Sequence, residues 1–404
     1  MHRTTLSHWP ACAATFLLFA ASFAHGQNFT LLHTFHCTDG DSPYAGLVLG
    51  TDGNLYGTTS SQGSNPQAEG TIFKITTSGE FTTIHNFIGP NDGRSPTSTP
   101  IQDAAGNLYG TTDNGGSVGL GVVWKITPAG HETIIHSFNR FTDGWIAPSD
   151  LVRDEQGNLY GVTSAGGDPA CAGPFGLKGC GSVYKVAASG ALTVLHTFDG
   201  SPDDGSYAFG GLIRDSAGNL YGTNYAAGLY GAGQVFKIDP SGNKATVHDF
   251  DPGVNNDGAY PDADLTVGPN GVIYGVAGNG GDMSVCTGTG PGCGVVFQID
   301  GDGILSTIYS FEGGHGDGSA PDGAVAFDAA GNLYGVTFTG GKDNKGTVYK
   351  LDTAGNETIL HNFTGGKDGF APHGRIYVSG DGTVYGAAGQ GGFGCGTIYK
   401  ITPQ

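Results

Sequence analysis

Short apolar runs of five to seven residues alternate along this chain with clusters of Gly, Asp, Asn and Pro. No stretch carries the i, i+3, i+4 recurrence of a twelve-residue amphipathic helix. The runs come in sets of four. In the first set, residues 45–49 follow a D-G-x-x-P turn, 54–59 read N-L-Y-G-T-T, 70–75 read G-T-I-F-K-I and 81–87 read F-T-T-I-H-N-F. β-Branched and aromatic residues mark strands, and the polar and Gly/Pro clusters mark turns. The pattern predicts four antiparallel strands per set.

The set occurs seven times. Its Tyr recurs at Tyr56, Tyr109, Tyr160, Tyr221, Tyr274, Tyr334 and Tyr385, at spacings of 51 to 61 residues. Such a period is the signature of a repeat architecture. Seven four-stranded units read as an all-β, seven-bladed β-propeller. Residues 29–35 form a fourth strand with no earlier partners, and 396–401 form a third strand with no fourth. The N-terminal strand should therefore complete the last blade, because a linear stack would leave both edges open. Residues 27–404 are expected to form one propeller domain.

Composition adds the setting. Gly makes up 75 of 404 residues without a G-x-y period, as many tight hairpins require. Residues 1–26 read as a signal peptide, with Arg3, an apolar run from Ala11 to Ala24 and small residues near the cut. No later stretch is apolar enough to span a membrane. A secreted or periplasmic protein is expected. The leader carries Arg3 and no acid, so 16 Lys+Arg then face 36 Asp+Glu, a net charge of −20. That charge repels nucleic acid and anionic lipid and tolerates neutral glycans, cationic partners or calcium. Neither nucleic acid nor membrane is expected as a partner, and a monomer is expected.

Cys12 lies in the leader, and six cysteines remain, an even number that favours disulfides in an exported chain. Cys37 follows the first strand and Cys395 precedes the last. Antiparallel pairing puts the end of one strand beside the start of the other, so Cys37–Cys395 is expected to clasp the ring. Cys171–Cys180 and Cys286–Cys293 should each close a local loop. No C-x-x-C pair supports a metal site instead.

Loop lengths separate two faces. The step from third to fourth strand is constant, 11 residues from Lys74 to His85 and again from Lys350 to His361. The step from second to third strand varies, 13 residues from Gly57 to Gly70, 20 from Gly161 to Gly181 and 10 from Gly386 to Gly396. The connections from fourth to first strand vary too and emerge on the same side. Variable loops on a rigid scaffold are where binding residues usually sit.

Residues present in every copy read as builders of the copy. The histidines His33, His85, His136, His196, His248 and His361, with Tyr309 in the remaining place, sit on outer strands far apart around the disk and should form structural hydrogen bonds rather than a metal ring. The aspartates before Gly, from Asp39 and Asp92 to Asp368, suit Asx-type turns. The repeated tyrosines should pack between blades. Calcium is possible, but D-x-D-x-D-G spacing is absent, and no metal ligands are assigned. There is no P-loop, G-x-S-x-G, H-E-x-x-H or dinucleotide fingerprint.

Departures from the repeat are the functional candidates. They fall where the chain enters each innermost strand: Tyr44, Trp145 and Asp150, Tyr207 and Phe209, Tyr260 with Asp262 and Asp264, Asp322, and His373 with Arg375. Arg94 lies in the second turn and His315 in a variable loop. Ligand-binding candidates are Tyr44, Arg94, Trp145, Tyr207, Phe209, Tyr260, His315, His373 and Arg375, because aromatics stack on sugar faces and polar groups fix hydroxyls. Asp150, Asp262, Asp264 and Asp322 offer the carboxyl pairs of a glycosidase. Tyr260, His373 and Arg375 offer the base and cation of a lyase.

N-L-Y-G-T-T at 54–59, G-T-I-F-K-I at 70–75 and the T-x-x-x-H-x-F strand together resemble the GloVer (Gloeobacter/Verrucomicrobia-type) tandem repeat of bacterial exported proteins, over residues 29–401. The resemblance implies a propeller-like exported protein and assigns no catalytic residue. Many such proteins look surface-attached through a C-terminal sorting segment. This chain ends at Gln404 directly after a strand, so a released or periplasmic protein is expected. Two functions remain open: recognition of a glycan or exported protein through the variable-loop face, and an extracellular glycoside hydrolase or polysaccharide lyase.

Overall fold

The computed structural model describes residues 28–403 except 148, 172–177, 254–256, 270, 287–290 and 315; the expected leader lies outside the described residues. Seven antiparallel sheets follow one another as the blades of a propeller. In the first blade Val48–Leu49, Leu55–Thr59, Thr71–Ile75 and Phe81–Asn86 pair in chain order. The seventh blade is built from Tyr377–Val378, Val384–Gln390, Thr397–Thr402 and the N-terminal strand Asn28–Thr34. Asn28 pairs with Thr402 and Thr34 with Thr397, which closes the ring. The Cys37–Cys395 disulfide fastens the same join, with Cα atoms 5.4 Å apart, and Cys171–Cys180 and Cys286–Cys293 close their loops.

Aromatic residues carry the seams. Phe73, Trp124, Tyr184, Phe236, Phe297, Tyr349 and Tyr399 of the third strands are all buried. Each packs against a Phe that ends the preceding blade's fourth strand, from Phe87–Trp124 at 6.0 Å to Phe363–Tyr399 at 5.3 Å. Phe35–Phe73, at 5.6 Å, completes the circle. Burying each ring contributes about 1.5–3 kcal/mol. The third-strand ring lies over the glycine of N-L-Y-G: Gly57 pairs with Phe73, and a Cβ there would sit 2.6 Å from Phe73 Cζ.

The repeated His and Asp act together. His33–Asp39, His136–Asp143, His196–Asp204 and His361–Asp368 approach at 2.5–3.1 Å, and Tyr309 reaches Asp317 at 3.3 Å. The same carboxylates accept main-chain amides, as Asp92 does from Ile88 at 2.8 Å. This latch fixes the path from each outer strand to the next inner segment. The repeated tyrosines also do more than pack. Tyr56, Tyr109 and Tyr334 each donate a hydroxyl to the aspartate of the first turn, at 2.9 Å.

The first inner strand is two residues long rather than the five expected at 45–49. Gly46 donates its amide to Thr99 Oγ1 and Leu47 donates to the Arg375 carbonyl, both at 3.0 Å, so these groups bond neighbouring blades instead of their own ladder. Upstream, the third residue after each latch aspartate is left-handed in all seven copies although none is glycine: Ser42, Ser95, Ile146, Tyr207, Tyr260, Ala320 and Ala371 have φ of 52–58°. Such a conformation costs about 1 kcal/mol or more. A hydrogen bond that its N–H donates to the preceding blade offsets it, as from Ser95 to the Glu69 carbonyl at 2.8 Å and from Ala320 to the Cys293 carbonyl at 2.9 Å. The kink turns the following residues toward the channel.

Candidate active site at the channel mouth

Counted from the latch aspartate, the fifth and seventh residues of each copy face the same way, because side chains alternate along an extended segment. The fifth are Tyr44, Thr97, Phe209, Asp262, Asp322 and His373, with residue 148 outside the described residues. The seventh are Gly46, Thr99, Asp150, Gly211, Asp264, Ala324 and Arg375. All of these except Gly211 line one cavity of about 520 Å³. Tyr225 and Phe338, from connections between second and third strands, complete its wall. The cavity thus lies among the connections whose lengths vary.

Its charges form two linked groups. Arg375, from the seventh blade, reaches across to Asp150 of the third at 3.7 Å and Asp264 of the fifth at 3.6 Å. Asp150 also accepts the Thr99 amide at 2.5 Å, and Asp264 accepts the Gly211 amide. Burial, then the charge of Asp264, pushes the Asp150 carboxyl well above the usual range, and Arg375 opposes the shift. In the second group His373 Nε2 lies 3.1 Å from Asp322 Oδ2. Burial raises Asp322 while His373 pulls it down. Burial, helped by Asp322, pushes Asp262 up to about 8. The His373 ring meets Tyr44 and Phe338 edge-on, at 5.4 and 6.0 Å. The site therefore offers an Asp-oriented imidazole, a carboxylic acid that keeps its proton at neutral pH, and an aromatic wall.

Among the sequence candidates, Tyr44, Asp150, Phe209, Asp262, Asp264, Asp322, His373 and Arg375 come together here. Others do not line the cavity. Arg94 pairs with Glu69 at 3.1 Å, and Trp145 lies under Arg140 at 4.4 Å. Tyr207 is fully buried, and Tyr260 packs on Tyr225 at 5.3 Å. His315 lies outside the described residues. Sequence reasoning missed Thr97, Thr99, Tyr225 and Phe338. Aligning the copies on the latch aspartate finds the threonines, and aligning them on N-L-Y-G shows Tyr225 and Phe338 at one shared position. That position holds Asp113 in the second blade, pushed by burial up to about 7.

A second cluster lies away from the channel, at the seam of the first and second blades. His85, Asp92 and Glu132 each place one ligand atom within 4.8 Å of the others, and this trio can hold a metal ion. Burial, then Asp92, pushes Glu132 up to about 9. Among the described residues no other such group occurs, in the channel or elsewhere. No helix among them is long and apolar enough to cross a membrane. Three disulfides accord with a compartment outside the reducing cytoplasm.

The fold is shared with proteins of several kinds. A streptogramin B lyase structure is 15% identical with a TM-score of 0.59, over 94% of this chain and 98% of that one. Virginiamycin B lyase from Staphylococcus aureus is 15% identical with a TM-score of 0.60, over 94% and 99%. The extracellular domain of a hybrid two-component system from B. thetaiotaomicron is 12% identical with a TM-score of 0.58, over 94% of this chain and 41% of that one. At such identities only the fold is common. No curated protein matches the sequence. The Gloeobacter/Verrucomicrobia repeat matches residues 17–173, 172–288 and 283–404. Together these three matches span the blades described above, and the chain belongs to the Gloeobacter/Verrucomicrobia repeat family.

Proposed function

We propose that this protein is an exported carbohydrate-active enzyme whose channel-mouth cavity cleaves a glycan by acid–base chemistry, with hydrolysis as the reaction. The observation that carries this reading is that one cavity is lined by His373, held by Asp322, and by Asp262, whose proton is kept up to about pH 8. General catalysis at neutral pH needs an acid and a base of this kind within one cavity. In hydrolysis, the Asp262 carboxyl protonates the departing glycosidic oxygen as its C–O bond breaks. The His373 imidazole takes the proton of the water whose oxygen bonds to the sugar carbon. Tyr44, Phe209, Tyr225 and Phe338 give the sugar ring flat apolar surface to stack on. That propellers named as lyases have this fold makes the channel mouth a reasonable seat for chemistry, by analogy only.

Charge favours hydrolysis over elimination from a uronate. A lyase holds its substrate's carboxylate with a free cation, whereas Arg375 is already shared between Asp150 and Asp264. The reading invokes no calcium. That ion takes six to eight oxygens, and the one metal-competent trio among the described residues includes an imidazole and lies outside the channel.

The test is mass spectrometry of products after incubation with a panel of neutral and uronate-containing polysaccharides, with Asp262→Asn and His373→Ala as controls. Products heavier by water, lost in both variants, support the reading. Unsaturated products would make the enzyme a lyase. Folded protein that yields no product but retains a glycan in an affinity assay would replace catalysis with recognition.

A further inference from the structure

We propose that His85, Asp92 and Glu132 form a binding site for a divalent transition metal of the zinc class, which ties the first blade to the second. This goes beyond the channel reading and does not depend on it.

At several seams the latch is covered by the residue four before the repeated His, or its Tyr, in the next blade's outer strand. Phe81 stacks on His33 at 4.0 Å and Phe29 on His361 at 3.9 Å. Lys244 puts its Nζ 3.6 Å from Asp204. An aromatic plate or a cation suits a buried carboxylate–imidazole pair. At the first seam the covering residue is Glu132, which brings a second carboxylate to a half-sealed site. His85 Nε2 lies 3.2 Å from Asp92 Oδ1 and 3.7 Å from Glu132 Oε2, with all three side chains only 15–17% exposed. The other Glu132 oxygen, Oε1, is closed off from solvent with no hydrogen-bond partner. Two carboxylates so placed repel each other unless a cation or a proton stands between them.

The spacing fits an ion. Ligand atoms about 2.1 Å from a tetrahedral metal stand roughly 3.4 Å apart, and the two distances from His85 Nε2 bracket that value. One imidazole and two carboxylates suit zinc and its first-row neighbours. Calcium and magnesium prefer all-oxygen sets. The residual exposure leaves room for water as a fourth ligand. The seam between the fifth and sixth blades serves as an internal control. It also carries a second carboxylate, Glu357 beside Asp317, but the Tyr309 hydroxyl stands between them at 3.1 and 3.3 Å. A phenol supplies a proton there and no nitrogen ligand.

The test titrates tag-free protein, stripped with EDTA, first with Co²⁺ and then with Zn²⁺. Saturable binding of one Co²⁺ with visible absorption bands, displaced by Zn²⁺, is the expected result. Zn²⁺ should also raise the melting temperature. Glu132→Gln and His85→Tyr, the latter reproducing the Tyr309 seam, should stay folded. Each should weaken binding by more than the roughly 10–100-fold that loss of a supporting contact costs. Absence of saturable binding in the wild type, or unchanged affinity in folded Glu132→Gln, would overturn the proposal.

Discussion

Replacing Arg375 by methionine should cost the fold about 3 kcal/mol at pH 9 and about half that at pH 4.5, by the following estimate. Methionine keeps much of the side-chain bulk and removes the charge. Arg375 lies 3.7 Å from Asp150 and 3.6 Å from Asp264. Each contact is worth about 4–5 kcal/mol at an effective dielectric of 20. The Arg375 side chain is 37% exposed, so water screens most of that, and about a third per contact is retained. The pH dependence follows from Asp150, whose carboxyl in the fold is held above its ordinary range, first by burial and then by Asp264. A group with a raised folded pKa favours the fold below its unfolded pKa, and that contribution is lost as pH rises through the folded value. The Arg375–Asp150 contact pairs two charges only once that carboxyl has lost its proton, so the penalty should grow as pH rises. Scanning calorimetry of both proteins at the two pH values would measure it. With roughly 2.1 cal/mol/K per residue over about 370 residues, 3 kcal/mol corresponds to about 4 °C. A shift below about 1 °C at pH 9, or equal shifts at both pH values, would refute the idea that Arg375 neutralises carboxyls across the channel.

Other expectations follow from the same geometry. Gly57→Ala would drive a methyl into Phe73, 2.6 Å from its Cζ, and should destabilise by about 1–3 kcal/mol in thermal melts; an unchanged melting temperature would show that the ring can move. Cys37→Ser with Cys395→Ser opens a link spanning 358 residues and should cost about 2–5 kcal/mol, seen as earlier unfolding without reductant; wild type and variant should converge once reduced. If Asp262 supplies the proton, any glycan cleavage should fall on the alkaline side with an apparent pKa of about 8, as its acid form is lost. Rates that climb through pH 8 would assign the acid elsewhere.

Much of the architecture is written in the chain because it rests on local rules used seven times. Period-two alternation, turn residues and the strand left over at each end suffice for the blades and their closure, and the position of Cys37 after the first strand suffices for the clasp. These features depend on residues near one another in sequence or on antiparallel pairing of the two ends. The site was legible in part for the same reason. Asp150, Asp262, Asp264, Asp322, His373 and Arg375 stood out as breaks in a repeat, at positions a repeat brings to one axis.

Only the tertiary structure decided the rest, because it depends on contacts between copies. A bridge from Arg375 to Asp150 and Asp264 joins the seventh blade to the third and fifth, and no spacing in the sequence encodes that reach across the channel. Arg94, Trp145 and Tyr260 looked equally divergent, yet the left-handed kink after each latch aspartate leaves them off the cavity wall while the fifth and seventh residues line it. Glu132 is one of several residues found at the start of an outer strand, and it becomes notable only because the ring sets it against the His85–Asp92 latch of the blade before. A repeating sequence fixes each blade through short-range pattern, whereas the charge and chemistry of the seams and channel arise from which copies the closed ring sets side by side.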